Sequence, residues 1–200
     1  MEKQVRILNA ARTLFAQFGL NKVTTDDIAT YAGISKATIY KLYPNKQAIF
    51  DEVIALETDD LIRVINEASG TESTTIGRLR AYLLAKLKAL HELNNLYQVT
   101  RVTFGNIWPH IADARDRVMN EEKRIVRQIL KAGVKSGEVS VPNPALTAHV
   151  LVTSFRQLEF NWVVEGHPVS LEKHVEHLLE IVMHGIGMDR AKKRAARKSK

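Results

Sequence analysis

Lys36, Thr38, Tyr40 and Lys41 place two ammonium groups, a hydroxyl and a phenol within six residues, and Lys46 adds a third ammonium shortly after. Groups of these types bond to phosphate oxygens and to base edges in a major groove, and a helix N-terminus adds oriented N–H donors for the same oxygens. They sit in YAGISKATIYKLYPNK, residues 31 to 46, where Gly33 and Pro44 leave room for one helix of two or three turns. So short a helix is marginal alone in water, because nucleation is costly and few hydrogen bonds offset it. Its neighbours must hold it.

Upstream, Thr24-Thr25-Asp26-Asp27 has the form of a helix start, with a threonine cap for orphan N–H groups and two aspartates at the positive end of the dipole. Ile28, Ala29 and Ala32 then make a small apolar face, and Gly33 can take the left-handed conformation that ends a helix. Ser35 is the next N-cap. Two helices joined by a tight glycine turn are the sequence form of a helix-turn-helix, which also occurs as a plain packing motif. Before it, VRILNAARTLFAQFG predicts an amphipathic helix with Leu8, Ala11, Phe15 and Phe18 on one face and Gly19 as its stop. After it, Pro44-Asn45 is a stop followed by a fresh N-cap, opening a long helix from Lys46 to about Ala68. The short helix is thus expected on a three-helix platform, presenting its polar side to DNA.

The stretch from about Leu8 to Phe50, with FAQFG and TTDDIATYAGISKATIYKLYPNKQAIF, resembles the N-terminal domain of the TetR (tetracycline-repressor-like) family of bacterial transcriptional regulators. The resemblance covers about a quarter of the chain. It implies that Thr25 touches a phosphate, that Lys36, Ala37, Thr38 and Lys41 lie where bases or the adjoining backbone are read, that the Tyr40 hydroxyl binds phosphate, and that Lys46 is the lysine opening the fourth helix. Leu42 stands where many members have histidine or another polar residue, so a base contact there is not carried over and the operator cannot be borrowed from a relative. Tyr43, where phenylalanine is common, reads as core packing.

The 200 residues suffice for one large or two modest domains. The absence of cysteine excludes disulfides, thiol nucleophiles and thiolate zinc sites together. MEKQVRILNAARTLF has no apolar signal region, and no run approaches the roughly 18 apolar residues of a membrane span, so a soluble, cytoplasmic protein without membrane partners is expected. The net charge of +7 is uneven: residues 1–50 carry seven Lys/Arg against three Asp/Glu, residues 189–200 seven against one, and residues 51–188 fifteen against eighteen. The N-terminal excess is the footprint of a nucleic-acid module. The tail RAKKRAARKSK reads as a disordered, solubilising segment, or as a nonspecific phosphate-binding arm. The expected division is therefore a DNA-binding domain at 1–46, a helical effector-binding and dimerisation domain at 47–188, and a basic tail at 189–200.

The body reads as helices throughout, giving an all-α fold of about nine helices. IGRLRAYLLAKLKALHEL, LYQVTRVTF and a stretch from about Ile111 to Ser136 are predicted helical, with Trp108-Pro109 as a corner and Arg117 and Glu121 paired i, i+4 on the solvent side. In PALTAHVLVTSFRQLEFNWVVEG apolar residues cover nearly the whole circumference, which requires burial on two sides. Leu171, Val175, Leu178, Val182 and Gly185 follow in a 4-3-4-3 seam for another helix. The resemblance implies dimerisation through these last two helices, with Val150, Leu158, Val175, Leu178 and Val182 at the interface of a homodimer. A dimer would set two short helices about one DNA turn apart on an inverted repeat. The resemblance also implies a small-molecule effector within the body, where Tyr97, Phe104, Trp108, His110, Phe155 and Trp162 favour an apolar or aromatic compound over a sugar phosphate.

A catalytic reading has little to stand on. His174, His177 and His184 share a face near Glu180 and could in principle hold zinc, but no HExxH pattern accompanies them, and histidines at a seam are more often packing residues. There is no Gly-rich phosphate loop and no G-x-S-x-G. No metal, cofactor or catalytic residue is expected. The reading is a repressor released from a palindromic operator by its effector; a ligand-independent architectural DNA binder or a transcriptional activator are the alternatives.

Overall fold

A computed structural model describes residues 2–92, 108–165 and 170–184, with those at 90–92, 108–110, 157–165, 171 and 184 as backbone only. The described residues form eight helices: α1 (Glu2–Phe18), α2 (Thr25–Ala32), α3 (Lys36–Leu42), α4 (Lys46–Gly70), α5 (Thr75–Glu92), α6 (Trp108–Ser136), α7 (Pro144–Glu165) and α8 (Leu171–His184). The chain is all-α. The helix expected over LYQVTRVTF, Tyr97 and Phe104 with it, lies outside the described residues, as does the basic tail.

Local signals placed the starts and stops. Thr24, Ser35 and Asn45 each cap the helix that follows, and Asn143 Oδ1 accepts from Leu146 N–H at 3.0 Å to open α7. One boundary moved: α6 begins at Trp108, because Pro109 stands in its first turn, where a missing N–H costs nothing.

Helix α4 is the spine. It packs on α1 at one end and on α5 and α6 along its length, so the boundary expected between 46 and 47 falls in the first turn of a continuous helix. Its apolar stripe of Phe50, Ile54, Leu61 and Ile65 is interrupted by Glu57, which is fully buried and accepts from Arg12 Nε of α1 at 3.1 Å. Helix α1 buries Ile7, Leu8, Ala11, Leu14 and Phe15. Phe18 does not follow them. It is the last residue of α1 and half exposed, because the chain turns at Gly19 and delivers Leu20 and Val23 to the core instead.

In the body, α5 and α6 meet closely where a Cβ on Gly133 would stand 2.2 Å from Thr75 Oγ1. Glu138, just beyond α6, reaches back to accept from Thr75 N–H at 2.7 Å and so supplies the cap of α5. Between the same helices lies an ionic cluster that sequence reasoning missed. Lys86 of α5 pairs with Glu122 of α6, Tyr82 hydroxyl donates to Glu122 Oε1 at 2.5 Å, and all three are at most 3% exposed.

Arg117 and Glu121 share no hydrogen bond, although the Arg117 charge, after the Arg124 hydrogen bond, is among the causes that lower the Glu121 carboxyl. Arg117 reaches across to Asp59 of α4, while Glu121 is held by Arg124 on its own helix and by Asn66 Nδ2 of α4 at 3.3 Å. The α4–α6 packing takes Arg117 to Asp59, and Glu121 turns to Arg124 of its own helix and to Asn66.

Candidate nucleic-acid interface

The unit that positions α3 is built on two turns, each closed by a specific hydrogen-bond set. At the first, Thr24 Oγ1 accepts from Asp27 N–H at 3.2 Å while Asp27 Oδ2 accepts from Thr24 N–H at 2.8 Å, a reciprocal capping box. The Thr24 hydroxyl, donating to the same carboxylate, holds Asp27 below the usual carboxylate range. Thr25 follows as the first residue of α2 and is half-buried.

At the second turn, Gly33 adopts φ 61°, and Ile34 N–H reaches back to Ala29 C=O at 3.0 Å. The carbonyls left over are taken by a residue the sequence did not point to. Arg6 Nη2 of α1 donates to Ala32 C=O at 2.6 Å and to Gly33 C=O at 3.2 Å, clamping the turn between α2 and α3. Nothing local marks Arg6 for this task, since its acceptors lie 26 and 27 residues away.

Helix α3 then starts at the Ser35 cap, whose Oγ accepts from Thr38 N–H at 3.3 Å. Ile39 anchors it with no exposure at all, and Tyr43 closes it at 4%. Burial, then the neighbouring Glu52 carboxylate, pushes the Tyr43 phenol up to about 12, consistent with its packing between helices. With Ile39 and Tyr43 turned inward, the other residues of α3 face out. Lys36, Ala37, Tyr40 and Lys41 are exposed, Thr38 is partly so, and Leu42 is 46% exposed. Lys36 Nζ lies 2.7 Å from Asp26 Oδ1, which raises the lysine above its ordinary value and holds it beside the start of α2.

Lys46 has a structural task. Its Nζ donates to Leu20 C=O at 2.6 Å and Val23 C=O at 2.7 Å, tying α4 to the α1–α2 connection. An ammonium carries three donors, so one remains for a phosphate. Thr25, Lys36, Ala37, Thr38, Tyr40 and Lys41 are therefore brought together on two adjoining short helices, with Lys46 behind them as a brace.

The residues expected at the other two sites are less assembled. Of the six expected around an effector, Phe155 alone has a described side chain; it is 4% exposed in the core. Tyr97 and Phe104 lie outside the described residues, and Trp108, His110 and Trp162 are described as backbone only. A cleft of about 590 Å³ between α4 and α6 is lined by Ile62 and by charged side chains such as Asp113, Arg117, Glu121 and Arg124, and includes none of the six residues expected around an effector.

On α8 part of the seam is covered within one chain. Val175 is 2% exposed and Leu179 1%, with Leu178 and Val182 partly buried beside them, as α8 packs along α5. Val175 therefore has no surface left for a second copy. On α7 the reverse holds: Val150 is 51% and Leu146 59% exposed, while the Leu158 side chain is outside the description. His177 is exposed near Glu180 at 3.8 Å, the His184 side chain is not described, and among the described residues no three ligand-type side chains gather for a metal. Among the described residues no helix is long and apolar enough to cross a membrane.

Residues 7–53 match the family described as "Bacterial regulatory proteins, tetR family". Along nearly the whole chain, the sequence is 28% identical over 185 residues to the HTH-type transcriptional regulator YhgD of Bacillus subtilis, covering 90% of this chain and 94% of that one. It is 26% identical over 189 residues to the HTH-type transcriptional repressor KstR2 of Rhodococcus jostii, covering 92% and 91%. Among solved structures, FadR of Bacillus subtilis in complex with stearoyl-CoA has a similar fold, with TM-score 0.71, 21% identity, and 92% and 99% of the two chains covered.

Proposed function

Because the chain belongs to the TetR family of helix-turn-helix transcriptional regulators and is not an enzyme, we propose that it represses transcription as a homodimer on an inverted-repeat operator and is released by a small apolar or aromatic effector. The observation that carries this reading is α3: a seven-residue helix with Ile39 buried and with Lys36, Ala37, Tyr40 and Lys41 exposed, braced by caps and by Arg6. A helix so short and so firmly held serves a surface partner. Its two lysines, hydroxyl and phenol match the phosphate and base-edge chemistry of a major groove.

Two copies are needed because one α3 covers a single half-site. The exposed Leu146 and Val150 on α7, with Ile181 of α8 at 36%, favour a second copy on that side. The interface residues of that dimer would be Val150, Leu158, Leu178 and Val182.

Effector coupling would run through α4, which begins beside α3 and is latched to α6 farther along. Arg124 Nη2 donates to Asn66 Oδ1 at 3.0 Å and Arg117 pairs with Asp59. A ligand that shifts α6 or the second half of α4 would move the DNA-binding end. Such a ligand must bind the non-operator state better, since equal affinity for both states shifts nothing. The stearoyl-CoA named for FadR makes a long acyl chain a reasonable first probe for the aromatic and apolar interior.

Selection from a library of random-core duplexes tests the proposal. The expected product is a consensus of two half-sites related by a dyad, roughly one helical turn apart. Stearoyl-CoA, or another effector found by screening, should then lower the affinity. Enrichment of no duplex above background would remove the operator-binding reading, and a single unpaired half-site would remove the dimeric one.

A further inference from the structure

Helix α3 presents four ridges of residues spaced i, i+4. Ile39 and Tyr43 form the buried one. Opposite them stand Ala37 and Lys41, flanked on one side by Lys36 and Tyr40 and on the other by Thr38 and Leu42. The chemistry of these flanks differs. The first is polar. The second is apolar but for a hydroxyl already engaged at the cap, since Thr38 Oγ1 lies 2.9 Å from Ser35 Oγ.

The composition of KATIYKL narrows what the helix can read. It contains no Arg, Asn, Gln, Asp or Glu, so the bidentate contacts to adenine and the carboxylate contacts to cytosine are unavailable to it, and the Thr38 and Tyr40 hydroxyls offer single bonds that do not tell the bases apart. Lysine can meet guanine. A further base-specific feature open to such a surface is the C5-methyl group of thymine, which apolar side chains recognise. Leu42 is the largest aliphatic group on the outward side, and it is 46% exposed. Val5 and Phe18 are about as exposed on α1, but neither belongs to the helix carrying the two lysines.

Resting on the DNA-binding reading above, we propose that Leu42 is a specificity-determining residue that packs against a thymine methyl in the major groove, so that each operator half-site carries a T·A pair facing the end of α3. The lysines and Tyr40 supply attraction and register, and lysine can also meet guanine; Leu42 adds the reading of thymine. Its exposure in the isolated protein is apolar surface held ready for that contact.

The test uses the duplex best enriched from a random-core library, with each thymine of the half-sites replaced in turn by deoxyuridine, which removes the methyl group alone. At one position, replacement in both half-sites should weaken wild-type binding about fifteen-fold, or about four-fold per methyl buried. Leu42→Ala should bind the parent duplex more weakly and be indifferent to that replacement. Lys41→Ala, which loses a different contact, should keep the sensitivity. Wild-type indifference at every thymine, equal sensitivity in Leu42→Ala, or a consensus lacking thymine would overturn the assignment while leaving operator binding intact. Enrichment of no duplex removes operator binding and this inference together.

Discussion

Lys46 and Arg6 show how a basic residue in a DNA-binding unit can be engaged before any DNA arrives. Lys46 holds two carbonyls of the α1–α2 connection, and Arg6 holds two at the α2–α3 turn. Lys46→Ala should therefore act twice. Loss of two charge-assisted bonds should lower stability by about 2 kcal/mol, read as a fall in the thermal midpoint. Loss of one phosphate contact per subunit should reduce the log–log salt slope of operator binding by roughly two in a dimer. A lowered midpoint with an unchanged slope would make Lys46 a brace only. Tyr40→Phe, at an exposed position, should weaken binding across sequences while leaving the midpoint near the wild-type value.

Helices α5 and α6 are joined by two devices that respond differently to perturbation. The Lys86–Glu122 pair is buried, with Tyr82 bonded to the same carboxylate. Removing one ion strands the other in the core, so Lys86→Met should cost about 3–5 kcal/mol, whereas Lys86→Met with Glu122→Leu should recover most of that. Equal losses in the single and double variants, measured by urea denaturation, would show that the pair is not the source. The second device is the Glu138 cap. Thr75 N–H, then the Ser136 hydroxyl, hold its carboxyl below the usual value of 4.5. A depressed folded value means that its stabilisation is present above that pH and is lost as pH falls through the folded value. As pH falls below the usual value of 4.5, the wild-type thermal midpoint should fall more steeply than that of Glu138→Gln. Parallel curves would remove Glu138 from the acid response.

Assembly depends on which apolar faces one chain leaves uncovered. Val150 is half exposed on α7, while Val175 is spent on α5 within the chain. Val150→Arg should leave the protomer folded and place a charge on both sides of the proposed interface, converting a dimer to a monomer in sedimentation and lowering operator affinity with it. A wild-type monomer at micromolar concentration would sink the dimeric reading. If α4 couples the two ends, operator and effector must oppose each other reciprocally. The factor by which stearoyl-CoA or another identified effector weakens operator binding should equal the factor by which operator weakens the effector, on the order of 5- to 150-fold.

The amino-acid sequence by itself determined the helical class, the helix-turn-helix and nearly every helix start. Caps are local: Thr24, Ser35, Asn45 and Asn143 bond to N–H groups three residues on, and Gly33 ends α2 by its own φ. Periodicity likewise marked the apolar faces of α1 and α8. What it could not say is which neighbour covers a face: the seam holding Val175 suits another chain as well as it suits α5, and in the fold α5 lies against it. Buried charges were half legible. Glu57 and Lys86 fall on otherwise apolar stripes, which signals a special role, but their partners are on other helices, Arg12 lying 45 residues before Glu57. Arg6 and Lys46 gave no local sign, because a long flexible cation can serve any carbonyl within reach. Tertiary structure chose among those acceptors, since only folding brings the turn carbonyls, 20 to 30 residues away along the chain, to within 3.2 Å of these side chains.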